Sequence, residues 1–503
     1  MAGAIISGNG MLPIRASLAG FFLAFIAAVP LALGQPLPPQ TAAPLPDLGG
    51  LGSAALSPAM ERRLGESVMR EIRSRDPTYV EDPEVSEYLA QMGARLSAVM
   101  SGARYDFEFF VIRDPSINAF ALPGGFVGVH TGLVSAADTE SELAAVLGHE
   151  LSHVTQRHIS RMVGQQDQMQ IPFLAAMAAA LVLGMRRPDL AAGAMAATQG
   201  AAISMQQGYS REFEREADRV GLEAMSAAGY DPRAMAMFFE KLQRASRVMD
   251  DGSMPGYLRS HPVTTERIAD AQNRSERMPY RQHLDSVDFY IVKAKLAAES
   301  GEPRDAVNRF EGAIRDKRYA NEPAARYGLT TALLRAKRPQ EAAREYQQLL
   351  ASGGRGPMIE TLGARVKRAN GDLPGALAAL AQAHTRYPQS RPIVYAYAEA
   401  LQDSGKNKEA AALLEDSVRL YPRDAKLHEQ QAKTYAALGK RLLQHQSQAE
   451  YYVLQGSLPA AIEQLQLARN AGDGDFYQLS MVDARLKDLR AQHQAENPKE
   501  QKH

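Results

Sequence analysis

The sequence contains no cysteine among its 503 residues. This absence excludes disulfide bonds and thiolate metal sites, and it is compatible with an oxidising compartment. A surplus of positive charge is also missing, because 57 lysines and arginines balance 57 aspartates and glutamates. The balance argues against a nucleic-acid-binding protein held by bulk charge. A chain of this length exceeds what one hydrophobic core usually supports, so we expect two or more domains.

Charge is scarce at the N-terminus, where Arg15 is the only charged side chain in the first 35 residues. An apolar run at 16–33 follows it and is succeeded by a small-residue cleavage site. We interpret residues 1–34 as a secretory signal peptide. The alternative is an uncleaved anchor, for which a run of this length is near the lower limit of a membrane span. Residues 35–58, rich in proline, glycine and alanine, are predicted to be a flexible linker.

The most specific chemical signal in the chain is the sequence GHELSH at 148–153. His149 and His153 are four residues apart, so on a helix both imidazoles project from one face and can bind one metal ion. Glu150 lies about 100° round the helix from His149, within reach of a metal-bound water. Apolar residues at helical spacing in 139–147 predict that the motif lies inside a helix. A solvated helix face that happens to carry two histidines is the alternative interpretation.

Zinc at such a motif needs a third protein ligand and an open position for water. The metzincin pattern would supply that ligand at position 159, but this chain has Gln156 and Ile159 where the pattern requires Gly and His. We therefore interpret His158 as a helix-surface residue. A second helix offers Glu214 as a zinc ligand, with Asp218 on the same face to accept a hydrogen bond from a ligand histidine. An exposed, salt-bridged helix start is the alternative.

Three segments together resemble a known peptidase family: HELSHVTQRH from 149, SREFEREAD from 210, and Ser260-His261-Pro262 with Arg267. Over residues 58–490 the chain is similar to the HtpX and CaaX prenyl protease family of zinc metallopeptidases, and within it to the periplasmic branch with a tetratricopeptide tail. The resemblance implies misassembled outer-membrane proteins as substrates and an outer-membrane assembly partner for the tail. It also implies zinc ligands at His149, His153 and Glu214, a general base at Glu150 and a supporting carboxylate at Asp218.

A small sheet is predicted just before the zinc motif. Residues 105–113 have the composition of a strand, and residues 118–130 form two short strands about a Pro-Gly-Gly turn. In zinc peptidases, an edge strand beside the zinc helix pairs with the extended substrate backbone. The candidate for that strand comprises Asn118, Ala119, Phe120, Ala121 and Leu122. The alternative is an ordinary hairpin, and we interpret His130 as a strand-end residue.

The segment 171–203, between the two metal-binding motifs, contains two apolar runs rich in alanine and methionine. Each run is too short to span a bilayer comfortably. We expect these runs to pack in the core, and the alternative is a peripheral contact with the membrane.

His261 lies in a proline-bounded loop before a predicted helix, and such a loop can direct the imidazole back toward zinc. In that position His261 would either stabilise the oxyanion of the reaction or occupy the open coordination position in a resting enzyme. A structural histidine is the alternative, and Arg267 is a candidate to support it.

The C-terminal half of the chain contains an internal repeat. Gly371 and Gly405 begin similar segments 34 residues apart, and Tyr387-Pro388 recurs as Tyr421-Pro422 at the same distance. A period of 34 residues with helical patterning is typical of tetratricopeptide repeats, which build a concave protein-binding surface. We assign residues 285–490 to five or six helical pairs and residues 491–503 to a polar tail.

These patterns together predict a mainly α fold, in which an α+β gluzincin-like protease domain at 59–284 precedes a tetratricopeptide solenoid. We predict an exported zinc metalloendopeptidase with one zinc ion per chain, located in the bacterial periplasm, whose solenoid recruits substrates or assembly partners. The alternative function is a chaperone or assembly scaffold for outer-membrane proteins in which proteolysis is secondary.

Overall fold

The computed structural model describes residues 56–102, 104–165, 209–248 and 256–496. The expected signal peptide at 1–34, most of the expected linker at 35–58 and the apolar segment 171–203 lie outside the described residues. Among the described residues, no helix is both long and apolar enough to cross a membrane.

Two capped helices open the described chain. Helix α1 (Pro58–Arg75) begins at a proline, and the hydroxyl of Ser57 accepts a hydrogen bond from the backbone N–H of its first turn. Helix α2 (Pro83–Ser97) begins in the same way, with the carboxylate of Asp82 accepting two backbone N–H groups. Proline at the first helical position and an oxygen-bearing side chain before it are the expected start signals.

A four-stranded sheet lies against these helices. Its strands are β1 (Tyr79–Val80), β2 (Glu108–Ile112), β3 (Ala119–Leu122) and β4 (Phe126–His130). The spatial order is β1-β2-β4-β3, with β2 parallel to β4 and with β3 antiparallel to β4. Gly124 and Gly125 make the turn between β3 and β4 at φ values of 77° and 93°, which favour glycine. This connection places β3 at the edge of the sheet.

The zinc-motif helix is buried along its whole length. It is α4 (Glu140–Thr155), which follows the short helix α3 (Thr131–Ala136), and every residue from its first to its last is buried. The Thr139 hydroxyl accepts a hydrogen bond from the N–H of Glu142 and thereby caps the start of the helix. The helix packs against α2, β3 and two later helices. Burial on all sides explains why its sequence is apolar around the motif.

The described residues of the protease part contain five further helices: α5 (His158–Gln165), α6 (Arg211–Ala227), α7 (Arg233–Val248), α8 (Gly256–Ser260) and α9 (Thr265–Glu276). Helix α6 packs along α4. The two helices meet at a pair of glycines, because a Cβ atom added to Gly221 would lie 3.1 Å from the carbonyl carbon of Gly148. The close approach brings the side chains of α6 to those of the zinc motif.

The remaining described residues form antiparallel helical pairs of the tetratricopeptide kind. Twelve helices are described here: α10 (Val287–Glu299), α11 (Pro303–Arg315), α12 (Glu322–Arg335), α13 (Pro339–Ala351), α14 (Pro357–Ala369), α15 (Leu373–Arg386), α16 (Arg391–Asp403), α17 (Asn407–Leu420), α18 (Ala425–Ala437), α19 (Arg441–Leu454), α20 (Leu458–Arg469) and α21 (Phe476–Glu496). The last helix continues past the expected domain end at 490, into the expected polar tail. The predicted fold class, a mainly α protein with a small sheet followed by a helical solenoid, is confirmed.

One hydrophobic core joins the two parts of the molecule. The largest cluster of buried apolar residues begins at Val85 in α2 and continues without a break to Val366 in α14. Helix α10, at the start of the solenoid, packs against both α2 and α3. The boundary expected at 284–285 therefore separates two kinds of architecture within one packed unit.

Candidate active site

Four side chains from three parts of the chain meet in the buried interior between α4 and α6. His149 and His153 lie on α4, Glu214 lies on the first turn of α6, and His261 directly follows α8. A ligand-capable atom of each lies within 4.8 Å of one from every other member. The Nε2 atoms of the two helical histidines are 2.9 Å apart, and each is 3.5 Å from a different carboxylate oxygen of Glu214.

These donors fit a metal ion. Four ligands about 2.0–2.1 Å from a tetrahedral centre are about 3.3 Å from one another, which is close to the observed separations. Two imidazoles and one carboxylate are also a donor set that zinc takes in catalytic sites. The Nδ1 atom of His261 is the fourth donor, 3.2 Å from His149 Nε2 and 2.9 Å from Glu214 Oε1.

A buried ion pair lies behind His149. The Nδ1 atom of His149 is 2.9 Å from Asp218 Oδ1, so the carboxylate accepts a hydrogen bond from the imidazole face turned away from the donors. The guanidinium of Arg267 donates to both carboxylate oxygens of Asp218 at 2.7 Å and lies 2.7 Å from Glu214 Oε2. Burial alone would raise the pKa of Asp218, but the charge of Arg267 together with the hydrogen bonds from His149 and Arg267 outweighs it and lowers that pKa. The arrangement fixes the orientation and tautomer of His149.

Glu150 is fully buried beside the cluster. Neither of its carboxylate oxygens has a hydrogen-bond partner among the described residues, and Oε1 lies 3.5 Å from Nε2 of His261. Burial raises the pKa of Glu150, because the charged form loses its hydration. A buried carboxylate with a raised pKa is suited to accept a proton from a reacting water.

His261 is held between two tyrosines. Its ring stacks on Tyr257 at 4.8 Å and on Tyr209 at 5.5 Å between ring centroids. Burial alone would lower the pKa of His261, but the carboxylates of Glu214 and Glu150 outweigh it and raise that pKa. The loop before α9 therefore directs the imidazole into the cluster.

His158, expected on a helix surface, is instead completely buried. Helix α4 ends at Thr155, and the chain reverses through Arg157, which has a φ of 55°. The reversal directs Nδ1 of His158 to within 2.8 Å of Nδ1 of His153. Burial lowers the pKa of His158 to about 4. Helical periodicity does not predict this contact, because residues five apart do not share a helix face. The sequence also gives no sign that the backbone of Arg157 adopts a left-handed conformation.

Comparison with known proteins identifies the peptidase part. The family model for peptidase family M48 matches residues 83–275, and tetratricopeptide repeat models match 291–357 and 367–434. The beta-barrel assembly-enhancing protease of Escherichia coli strain K12 is 31% identical over 476 residues, which cover 92% of this chain and 95% of that protein. The chain belongs to peptidase family M48. The resemblance drawn from the motifs is thus confirmed.

Other M48 relatives match over shorter lengths. A putative beta-barrel assembly-enhancing protease of Vibrio cholerae is 34% identical over 308 residues, which cover 61% of this chain and 63% of that protein. The mitochondrial metalloendopeptidase OMA1 of Schizosaccharomyces pombe is 30% identical over 210 residues, which cover 41% of this chain and 59% of that protein. As an M48 peptidase, this chain is a metalloendopeptidase that acts on protein substrates and carries tetratricopeptide repeats suited to protein–protein contacts.

The sheet of this M48 peptidase supplies the predicted edge strand. Strand β3 pairs with β4 on one side and packs against α4, which carries the zinc motif. Asn118 and the strand residues Ala119, Phe120, Ala121 and Leu122 are all buried. His130 ends β4, where its Nδ1 lies 3.0 Å from the hydroxyl of Ser116, in agreement with its interpretation as a strand-end residue.

Proposed function

We propose that the chain is a zinc-dependent endopeptidase of the bacterial periplasm that hydrolyses peptide bonds in misassembled outer-membrane proteins. The observation that carries the proposal is the buried meeting of His149, His153 and Glu214 beside the fully buried carboxylate of Glu150, in a chain of family M48. The charge-poor apolar N-terminal segment and the name of the Escherichia coli relative support the compartment and the substrate class.

The three ligands in this proposal are His149, His153 and Glu214. A zinc ion held there would supply a Lewis acid for the scissile carbonyl and would lower the pKa of a water in the open position to about 7. Glu150 accepts the proton of the attacking water and donates it to the leaving amine. Asp218, held by Arg267, keeps His149 in the tautomer that presents Nε2 to the ion. The ligand atoms of His149, His153 and Glu214 already lie within 4.8 Å of one another.

Strand β3 is the proposed binding edge for the substrate. An extended peptide that pairs with the side of β3 turned away from β4 would lie alongside α4, with its scissile bond next to Glu150. The solenoid is proposed to recruit misassembled proteins or a component of the outer-membrane assembly machinery, because stacked helical pairs present extended surfaces to partners. Main-chain pairing at β3 would make cleavage tolerant of sequence, which suits a peptidase that removes misfolded chains.

The substitution Glu150→Gln tests the catalytic assignment. The amide keeps the shape of the side chain but cannot accept the proton, so we expect cleavage of an unfolded outer-membrane β-barrel protein to fall by about 10²–10⁴-fold. Zinc content and thermal stability should match those of the wild type. The measurement is the rate of loss of intact substrate on gels, with Glu223→Gln on the exposed face of α6 as control.

Activity of Glu150→Gln near that of the wild type would show that Glu150 is not the base. The same variant also separates the two functions predicted from the sequence. If an inactive Glu150→Gln protein fully rescues a null strain, the essential function is that of a chaperone or assembly scaffold, and proteolysis is secondary.

A further inference from the structure

A second chain of polar contacts ends on the zinc motif and has no part in the scheme above. It begins at Nδ1 of His153, the nitrogen turned away from the donor cluster, which lies 2.8 Å from Nδ1 of His158. The other ring nitrogen of His158, Nε2, lies 3.1 Å from Glu216 Oε2. Arg161 in turn donates to the same oxygen of Glu216 at 2.7 Å. Three side chains thus stand in a row behind one proposed ligand.

Hydrogen-atom positions in this row follow from the role of His153. If His153 presents the lone pair of Nε2 to the ion, its hydrogen must be on Nδ1, where it points at Nδ1 of His158. His158 must then accept at Nδ1 and carry its own hydrogen on Nε2, where it donates to the carboxylate of Glu216. Only one tautomer of each ring satisfies all the contacts. The row therefore selects the tautomer of His153 that can bind a metal.

The surroundings hold His158 in this position. Its ring is fully buried and stacks on Phe213 of α6, with ring centroids 4.5 Å apart and planes 12° apart. The turn before it depends on Arg157, whose left-handed backbone is costly for a residue other than glycine. The guanidinium of Arg157 lies 3.3 Å from Glu61 of α1. A strained residue of this kind persists only where its surroundings over-determine it.

We propose that His158 and Glu216 are positioning residues for His153, as Asp218 and Arg267 are for His149. The inference rests on the proposed zinc site. If zinc binds there, a carboxylate of α6 orients each of the two histidine ligands. Asp218 contacts His149 directly, and Glu216 acts on His153 through His158. Glu216 and Asp218 are two residues apart and therefore lie on different sides of α6. Side chains of this one helix orient both imidazoles. His158 contacts neither substrate nor the reacting atoms and acts only through His153.

Three variants test the positioning role through zinc affinity, measured by competition with a chromogenic chelator. His158→Leu removes the acceptor for His153, and we expect a loss of about 10–100-fold in affinity. His158→Asn places a carbonyl oxygen where Nδ1 was, so it should recover most of that loss. Glu216→Leu removes the last acceptor and should give a smaller loss. The matched control is Glu223→Leu, on the exposed face of the same helix, which should bind zinc as the wild type does.

Cobalt substitution gives a second readout that packing alone would not change. The visible absorption of Co²⁺ in the wild-type site should be altered in His158→Leu and close to normal in His158→Asn, because it follows ligand geometry. Equal losses of affinity in the leucine and asparagine variants would overturn the proposal, since the loss would then follow from packing. Unchanged affinity in His158→Leu would overturn it as well.

Two further outcomes keep this test independent of folding and of the zinc assignment. If His158→Leu fails to fold, Glu216→Leu decides: wild-type affinity in that variant contradicts the positioning role, and reduced affinity supports it. If the wild-type protein itself binds no zinc, the proposed function fails. If the wild type binds zinc and the His158 and Glu216 variants bind it with the same affinity, only the positioning role is rejected.

Discussion

At the scale of single residues, the sequence predicts those site residues that obey helical periodicity. His149 and His153 are one turn apart, and Glu214 and Asp218 repeat the same spacing on α6, so each pair points from one helix face. The burial of His158 could not be predicted in this way. Its position depends on the reversal at Arg157, and the partner that holds the guanidinium of Arg157 lies far away in the sequence, on α1.

The first prediction at this scale concerns His261, because its two candidate roles predict opposite changes in the rate of proteolysis when the side chain is removed. Its Nδ1 lies among the donors, which favours the role of a resting ligand that occupies the open position. We expect His261→Ala to raise the rate of proteolysis with nearly unchanged zinc content, because three ligands remain. The measurement is a cleavage assay paired with metal analysis. A fall of about 10²–10³-fold would instead indicate an oxyanion donor, and an unchanged rate would make His261 structural.

At the scale of elements, the distance between α4 and α6 determines whether the ligands meet. The sequence predicts both helices from the spacing of their residues, but it does not predict that they cross at Gly148 and Gly221. Only the structure shows that a Cβ at position 221 would lie 3.1 Å from both the carbonyl carbon of Gly148 and the backbone nitrogen of His149. Gly221 is thus a spacer that allows Glu214 to reach the zinc motif.

Gly221→Ala tests the role of this crossing. The added methyl must push α6 away from α4, so we expect a loss of about 1–3 kcal/mol in the free energy of unfolding together with weaker zinc binding. Gly312→Ala in α11 is the control, because the nearest atom to its new methyl is 3.7 Å away and helix propensity should favour alanine. Urea unfolding and chelator competition measure the two effects. A Gly221→Ala protein as stable and as zinc-avid as the wild type would refute the spacer role.

At the scale of the whole molecule, the repeat period predicts a solenoid but not its close union with the protease part. Lys295 of α10 inserts between Asp82 and Glu84 at the start of α2, with its Nζ 2.7 and 2.5 Å from their oxygens. Burial alone would lower the pKa of Lys295, but the two carboxylates outweigh it and raise that pKa. Sequence patterns carry no signal for such a junction, because its partners belong to different parts of the chain.

Lys295→Met is expected to destabilise the whole molecule. The substitution keeps the length of the side chain but leaves two buried carboxylates without their counter-charge, and breaking a buried pair in this way typically costs about 3–5 kcal/mol. Lys433→Met removes an exposed lysine from a surface ion pair and should change stability by less than about 0.5 kcal/mol. Urea unfolding compares the two variants. Equal stabilities would show that the junction does not depend on the ion pair.

The zinc content of the purified protein and of Glu214→Ala tests the proposed metal site most directly. Three ligands on two helices require about one zinc per chain in the wild type. Glu214→Ala should release most of it, because the substitution removes the only carboxylate ligand and also the group that lies 2.9 Å from Nδ1 of His261 and holds that donor in place. Glu223→Ala, on the exposed face of the same helix, should keep its zinc. Atomic absorption of protein freed of excess metal gives the count. One zinc per chain that falls toward zero in Glu214→Ala is the predicted result, and zinc retained at the wild-type level in that variant would contradict it.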